Sequence, residues 1–418
     1  MSKLCLSFLA VLFILSCNKK PGEPATPPIP NNKALAWINT YGGTNNDFAY
    51  AAIQTPDSNF VFTGASRSTD GDVPGNRIGY DAWMSKVDKA GNKVWSKTFG
   101  ENNDDFANSV VSTNDGGFML AGYTFIGNTN NTAWIIKTDG NGNQQWRKDF
   151  TENVDAKAQF LLATPDGNFL LVGHSFTNTT KYDGWIIKLD AAGNRLWTKN
   201  YGGSQDDYAS SVIRANDGGY VVSGYTRSAD GDITRSNGGI DGWAIKIDES
   251  GNRIWSKNYG GSKDDYAKTI VRTPDNGYML AGYSNSTDGD ITGSKGSNDE
   301  WLIKIDGAGN KQWSKTFGGA NDDYANGLVA TRDGGYMLSG YTNSTNADVT
   351  RSAGDFGGWL IKIDGAGNKL AVSTYGNTFD DFTSSVINTL DGGYLMAGFT
   401  SLNNTNSDAW LVKVLDLQ

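Results

Sequence analysis

A phrase close to D-G-W-L-I-K-I-D-x-x-G-N-x-x-W-S-K-x-Y-G-G-x-x-D-D-Y-A runs from Asp241 to Ala267 and again from Asp299 to Ala325, and its fragments occur seven times along the chain. Its first tryptophan falls at Trp83, Trp134, Trp185, Trp243, Trp301, Trp359 and Trp410. Its second falls at Trp37, Trp95, Trp146, Trp197, Trp255 and Trp313, with Ala371 in the seventh place; these are all thirteen tryptophans of the protein. Successive second positions lie 58 or 51 residues apart. That period is too long for a helical solenoid and suits one four-stranded unit per repeat.

Each repeat divides at its turns. In the segment from Tyr324 to Phe379, strand a ends at the turn Arg332-Asp333-Gly334, strand b follows, and strand c (from Trp359) turns back through Asp364-Gly365-Ala366-Gly367-Asn368 into strand d. Turns such as Pro56-Asp57-Ser58 and Pro274-Asp275-Asn276 carry proline at the first corner and a residue tolerant of the left-handed region at the third. Glycine holds that place in the c-to-d turns, at Gly91, Gly142, Gly193, Gly251, Gly309 and Gly367. Only five of the 45 acidic residues are glutamate, against 53 glycines, so turn formers outnumber helix formers and the chain reads as all-β. Its length alone would admit two or three domains, but the array fills residues 34–418 as one body.

Strands such as Trp301-Leu302-Ile303-Lys304-Ile305 and Tyr278-Met279-Leu280-Ala281 require cover on both faces, as packed blades provide. The tryptophans are read as blade-to-blade core. A three-residue c-to-d loop would set Ile303 opposite Trp313 and turn Trp301 to the same face, making one aromatic patch per repeat. The array opens on a lone strand d (Ala34 to Tyr41) and ends on a strand c (Leu411 to Val414) with no strand after it. Pairing these two closes a seven-bladed β-propeller, four strands per blade, and removes two sheet edges.

The run G-G-S-x-D-D-Y-A, then D-G-G-Y-x-L-A-G-Y-T-x-S, then D-x-W-L-I-K-I-D-x-x-G-N resembles the bacterial β-propeller repeat family, common in secreted and lipid-anchored proteins, over residues 34 to 415. The D-x-x-G-N-x-x-W element is also similar to quinoprotein propeller repeats, but the cofactor constellation of those enzymes is not found. At the N-terminus, Lys3, the apolar run Leu4 to Leu15 and Leu15-Ser16-Cys17 resemble a bacterial lipoprotein signal over residues 1–16. The resemblance implies that Cys17 carries the lipid, with residues 17–33 a proline-rich tether and the body held in the cell envelope at the outer membrane, facing periplasm or exterior. Once Cys5 leaves with the signal, Cys17 stands alone, which excludes a disulfide framework and a cysteine zinc site. A formal charge of −9 disfavours nucleic acid and suits cations or neutral sugars.

In this strand order the d-to-a and b-to-c connections share one rim. The d-to-a connections place Asp47, Asp105, Asp207, Asp265, Asp323 and Asp381 at the start of the innermost strands, a candidate ring for a cation or polar ligand at the central opening. The competing reading has each aspartate accept local backbone N–H groups. Repeat three breaks the ring with Ala156 and Lys157. Long b-to-c loops carry Asp70-Gly71-Asp72, Asp230-Gly231-Asp232 and Asp288-Gly289-Asp290; Asp70, Asp72, Asp230, Asp232, Asp288 and Asp290 are candidate calcium ligands, though they lack an EF-hand's ligand series. Catalytic signatures are absent: His174, the only histidine, takes the place held by Tyr123, Tyr225, Tyr283 and Tyr341, and there is no nucleophile elbow or phosphate loop. The sequence therefore reads as a monomeric, noncatalytic envelope lipoprotein, a binding protein or scaffold that presents its acidic loop face to a glycan or protein. The alternative is a polysaccharide-active enzyme, a glycoside hydrolase or lyase, working on the same face.

Overall fold

A computed structural model describes residues 35–75, 79–127, 131–152, 155–176, 181–349, 355–376, 379–401 and 406–415. The signal, Cys17 and the tether lie outside the described residues, as do parts of the loops at 68–81 and 344–358. Among the described residues twenty-eight strands and no helices are found, and the strands form seven four-stranded antiparallel sheets, each in the order a-b-c-d. The innermost strands Asp47–Gln54, Asp104–Ser112, Asp155–Ala163, Asp207–Arg214, Asp265–Arg272, Asp323–Ala330 and Asp381–Asn388 neighbour one another in a closed circle, as a propeller requires. In the last blade the outermost strand is Leu35–Tyr41, paired with Ser407–Val414 from Leu35 opposite Val414 to Tyr41 opposite Ala409. The two chain ends thus close the ring as expected from the phasing.

The turns behave as their residues dictate. Ser58 (φ 64°) and Asn276 (φ 62°) occupy the left-handed corner of their hairpins where the other blades use glycine. The a-to-b turn aspartate also works at a distance. In every blade it pairs with the lysine of strand c, as Lys137 with Asp115 at 2.8 Å and Lys362 with Asp333 at 3.0 Å, the lysine stem buried and the acid exposed. Hydrogen bonds from those lysines hold Asp57, Asp115 and Asp275 down at about 2, and the turn hydroxyls of Thr164 and Thr331, ahead of the lysines, do the same for Asp166 and Asp333.

Seven apolar clusters make the core, and each draws on two adjacent blades. Alternation along strand c explains this: Trp301, Ile303 and Ile305 face the preceding blade while Leu302 faces the next. The tryptophan patch forms between repeats, not within one. Lys304 lies opposite Trp313 and Ile303 opposite Ser314, because the c-to-d turn is longer than three residues and a bulge precedes Ile305. That one-residue shift turns Trp313 to the other face. Trp301 therefore packs beside Trp255 of the preceding blade, and Trp313 beside Trp359 of the next. The second tryptophan also seats on the next blade's c-to-d turn: a Cβ on Gly142 would sit 2.8 Å from the Trp95 ring, so glycine there permits the contact as well as the turn.

Candidate functional site

The b-to-c and d-to-a loops do share a rim, and they are tied together on it. Asp70 Oδ1 accepts the Thr44 N–H at 2.9 Å, Asp230 the Ser204 N–H at 2.7 Å and Asp288 the Ser262 N–H at 2.7 Å. The second acid of each triplet pairs with a cation of its own blade, Asp72 with Lys93 at 2.7 Å, Asp232 with Arg253 at 3.0 Å and Asp290 with Lys311 at 2.6 Å. Among the described residues no three His, Cys, Asp or Glu side chains gather as metal ligands.

The six ring aspartates stand at the starts of their strands, Asp105 one place after Asp104, and are buried. Asp265 is representative: it accepts the Gly261 N–H at 2.7 Å, the Ser286 hydroxyl at 2.9 Å and the Ser284 hydroxyl. Asp47, Asp207 and Asp323 repeat this set. In the short-loop second blade Arg147 supplies the missing donor, 3.3 Å from Asp105 and 2.7 Å from the Thr124 hydroxyl. Asp381 lies buried at the same place in the seventh blade. In blade three Asp155 aligns with Asp104 and not with the ring; it accepts from Asn131 at 2.9 Å and from the Tyr182 hydroxyl at 2.8 Å.

Burial has a charge consequence. At the closing junction Asp47 and Asp408 flank Gly42, and burial, then Asp47 and Asp72, push Asp408 up to about 7. Glu300 is an outlier that the repeat comparison could have flagged, since the other blades carry Ala or Gly there. It is fully buried, neither oxygen has a hydrogen-bond partner, and burial holds it far above the carboxylate range.

At the axis the side chain on view belongs to the residue after each ring aspartate. These residues, their strand-b neighbours and, in blade one, Tyr80 of the b-to-c loop form a collar: from Phe399 through Phe48, Tyr80 and Phe106 to Tyr123, and from His174 through Tyr208, Tyr225, Tyr266, Tyr283, Tyr324 and Tyr341 to Phe382 and back to Phe399. Successive centroids lie 4.6 to 5.8 Å apart, the range of edge-to-face and offset stacking. The described collar is interrupted at blade three, where Lys157 replaces the aromatic and its amine lies 4.7 Å from the Tyr123 centroid. His174 sits beside this break, its imidazole pushed down to about 3 by burial first and the Lys157 charge second, so it is neutral at physiological pH.

Two residues further along, every innermost strand carries a β-bulge, and its extra residue is Tyr50, Asn108, Gln159, Ser210, Lys268, Asn326 or Ser384. All seven line one cavity of about 320 Å³ that shares His174, Tyr208 and Tyr225 with the collar. Sequence reasoning missed this ring, because a bulge leaves no residue-type signature; the available signal was that the fourth position of strand a differs between blades while the three positions before it largely repeat. On the hairpin rim a smaller cleft of about 180 Å³ between the turns at Thr113 and Thr164 has its main acid, Asp115, already held by Lys137.

No family model matches the chain. Among curated proteins it is similar to the regulatory protein FlaEY of Caulobacter vibrioides, 22% identical over 290 residues, which span 62% of this chain and 29% of that protein. Among solved structures it resembles the WD40 domain of Neurospora crassa Pan2, with a TM-score of 0.52 and 8% identity over 91% of this chain and 96% of that one. It also resembles YCF48 bound to a D1 peptide, with a TM-score of 0.50 and 11% identity over 95% and 100% of the two chains. At such identities the likeness is one of fold, that of a β-propeller.

Proposed function

We propose that this chain is a noncatalytic binding protein of the cell envelope, tethered through Cys17, that takes a glycan or protein partner at the loop-rim mouth of its propeller. The observation that carries the reading is the contrast at that mouth: a repeated aromatic collar stands over a cavity whose seven bulged residues differ from blade to blade. Half-exposed stacked rings offer apolar faces, and the divergent ring below supplies the few oriented polar groups that give specificity. The solved propeller with a bound peptide and the regulatory relative fit a binding role. The rim acids are engaged by loop N–H groups, hydroxyls and cations, so the acidic face acts through the shape it holds.

The test is a glycan-array and peptide-array screen of the full-length chain, with and without calcium. Hits are expected that disappear in a Tyr266→Ala/Tyr324→Ala variant; hits indifferent to the collar, or turnover of a bound polysaccharide, overturn the reading. Calcium dependence of those hits would assign the cation to the D-G-D loops. For the anchor, Cys17→Ser is expected to release the chain from the membrane fraction, and retention there would contradict lipidation.

A further inference from the structure

The central cavity contains one cation and no acid. Lys268 is the bulged residue of blade five, and its amine lies 5.2 Å from the ring centroid of Tyr225, 5.8 Å from Tyr266 and 5.7 Å from Tyr283. The strand-c lysines all have a hairpin aspartate, and Lys93, Lys311 and Lys369 have loop aspartates; among the described residues Lys268 has no carboxylate partner. None of the cavity's other lining residues carries a charge at neutral pH, His174 being neutral. A half-buried ammonium without a counter-ion loses part of its hydration, and π faces offset only part of that loss. Burial accordingly pushes the Lys268 amine down. An incoming anion would supply the missing partner.

The rest of the wall narrows the class of anion. A single ammonium matches a single negative charge, whereas a phosphate or sulfate dianion calls for several cations or a bidentate arginine. A zwitterionic amino acid would bring an ammonium group to a wall with no acid. The amides and hydroxyls of Gln159, Ser210 and Ser384 suit a hydroxyl-rich body, and the tyrosine faces suit the apolar face of a sugar ring. At about 320 Å³ the space is that of one monosaccharide, near the low end of small-molecule sites, which run from roughly 300 Å³ upward. We propose that this cavity binds a hexuronic acid residue, its carboxylate on the Lys268 ammonium and its hydroxyls on the divergent bulge residues. The assignment rests on reading the loop-rim mouth as a binding site, and it names the chemistry read there.

The experiment is titration of the full-length chain with galacturonate and glucuronate, and with galactose and glucose as neutral controls, by calorimetry and saturation-transfer NMR. The acids are expected to bind at least roughly tenfold more tightly than the neutral sugars, since one charge-assisted contact is worth about a factor of ten or more. Lys268→Met is expected to remove that preference. Gln159→Glu, which leaves Lys268 in place but adds an acid to the wall, is expected to weaken the acids and spare the neutral sugars, so the test survives if the first variant folds poorly. No uronate binding, equal binding of neutral sugars, or undiminished preference in Lys268→Met overturns the assignment. Collar-dependent binding of another glycan or peptide that persists in Lys268→Met would overturn this assignment alone and leave the wider binding role standing.

Discussion

Two positions three residues apart on the same innermost strands obey opposite rules. At the ring position six blades carry aspartate, and the structure buries it under local hydroxyl and backbone donors. At the bulge position seven blades carry five residue types, and all seven residues face one cavity. The difference teaches that in a repeat protein, recurrence reports what each unit needs in order to fold, and divergence at a geometrically equivalent site reports what the assembled ring can do. A symmetric hydrogen-bond lattice can hold an asymmetric set of side chains on its axis.

The largest way to break the folding side of this contrast is to remove the strand that closes the ring. Deleting residues 33 to 42 leaves Ser407–Val414 an open edge and strips Tyr41 from the cluster between the last and first blades. Gross loss of the cooperative urea transition is expected; an unchanged melting temperature would contradict closure. Next come the two tryptophans of one repeat. Trp301 is fully buried against the preceding blade and Trp313 half-buried against the next. Trp301→Ala should cost about 3–5 kcal/mol and Trp313→Ala clearly less. Because the two serve different junctions, the double variant should show near-additive losses in urea melts, and strong coupling between them would instead place them in one patch.

Smaller effects sharpen the comparison itself. Asp265→Ala strands the Gly261 N–H and two buried hydroxyls, at about 1–3 kcal/mol for each donor left unpaired, whereas Ser210→Ala on the bulge ring should fall within about 0.5 kcal/mol of the parent. Chemical denaturation of the two variants checks this ordering. The smallest effect is a pH dependence. Asp408 is raised to about 7 in the fold, above its unfolded value, so its contribution favours folding at low pH and is lost as pH rises through 7. Asp408→Asn should therefore flatten the fall in melting temperature between about pH 4 and 7; an unchanged slope would show that Asp408 is not raised in the fold.

Much of the fold was legible because its determinants repeat. Hairpin corners, two-faced strands and the odd phasing of the chain ends each have a residue signature, and Gly91, Gly309 and the unpaired first strand behave as their sequence demands. What was not legible depends on register. A bulge after Lys304 moves Trp313 to the opposite face, and neither that bulge nor the one at Lys268 is encoded by a residue type. The candidate site suffered most for the same reason: the acids that stand out in the sequence are consumed by the loops they order. The collar was half visible, in His174 standing where tyrosines stand, but its other half comes from the residue after each ring aspartate, seen only once strands a and b are paired.

The central claim is that ligand recognition resides in the divergent axial ring and architecture in the repeated rim acids. Its most direct test measures galacturonate affinity and melting temperature together in two variants, Gln159→Ser/Lys268→Ser on the ring and Asp70→Ala/Asp230→Ala/Asp288→Ala on the rim. The ring variant should melt within about 2 °C of the parent and lose binding, while the rim variant should melt lower and bind normally per folded molecule. The reverse pattern, binding lost from a rim variant that stays folded and kept in the ring variant, would contradict it.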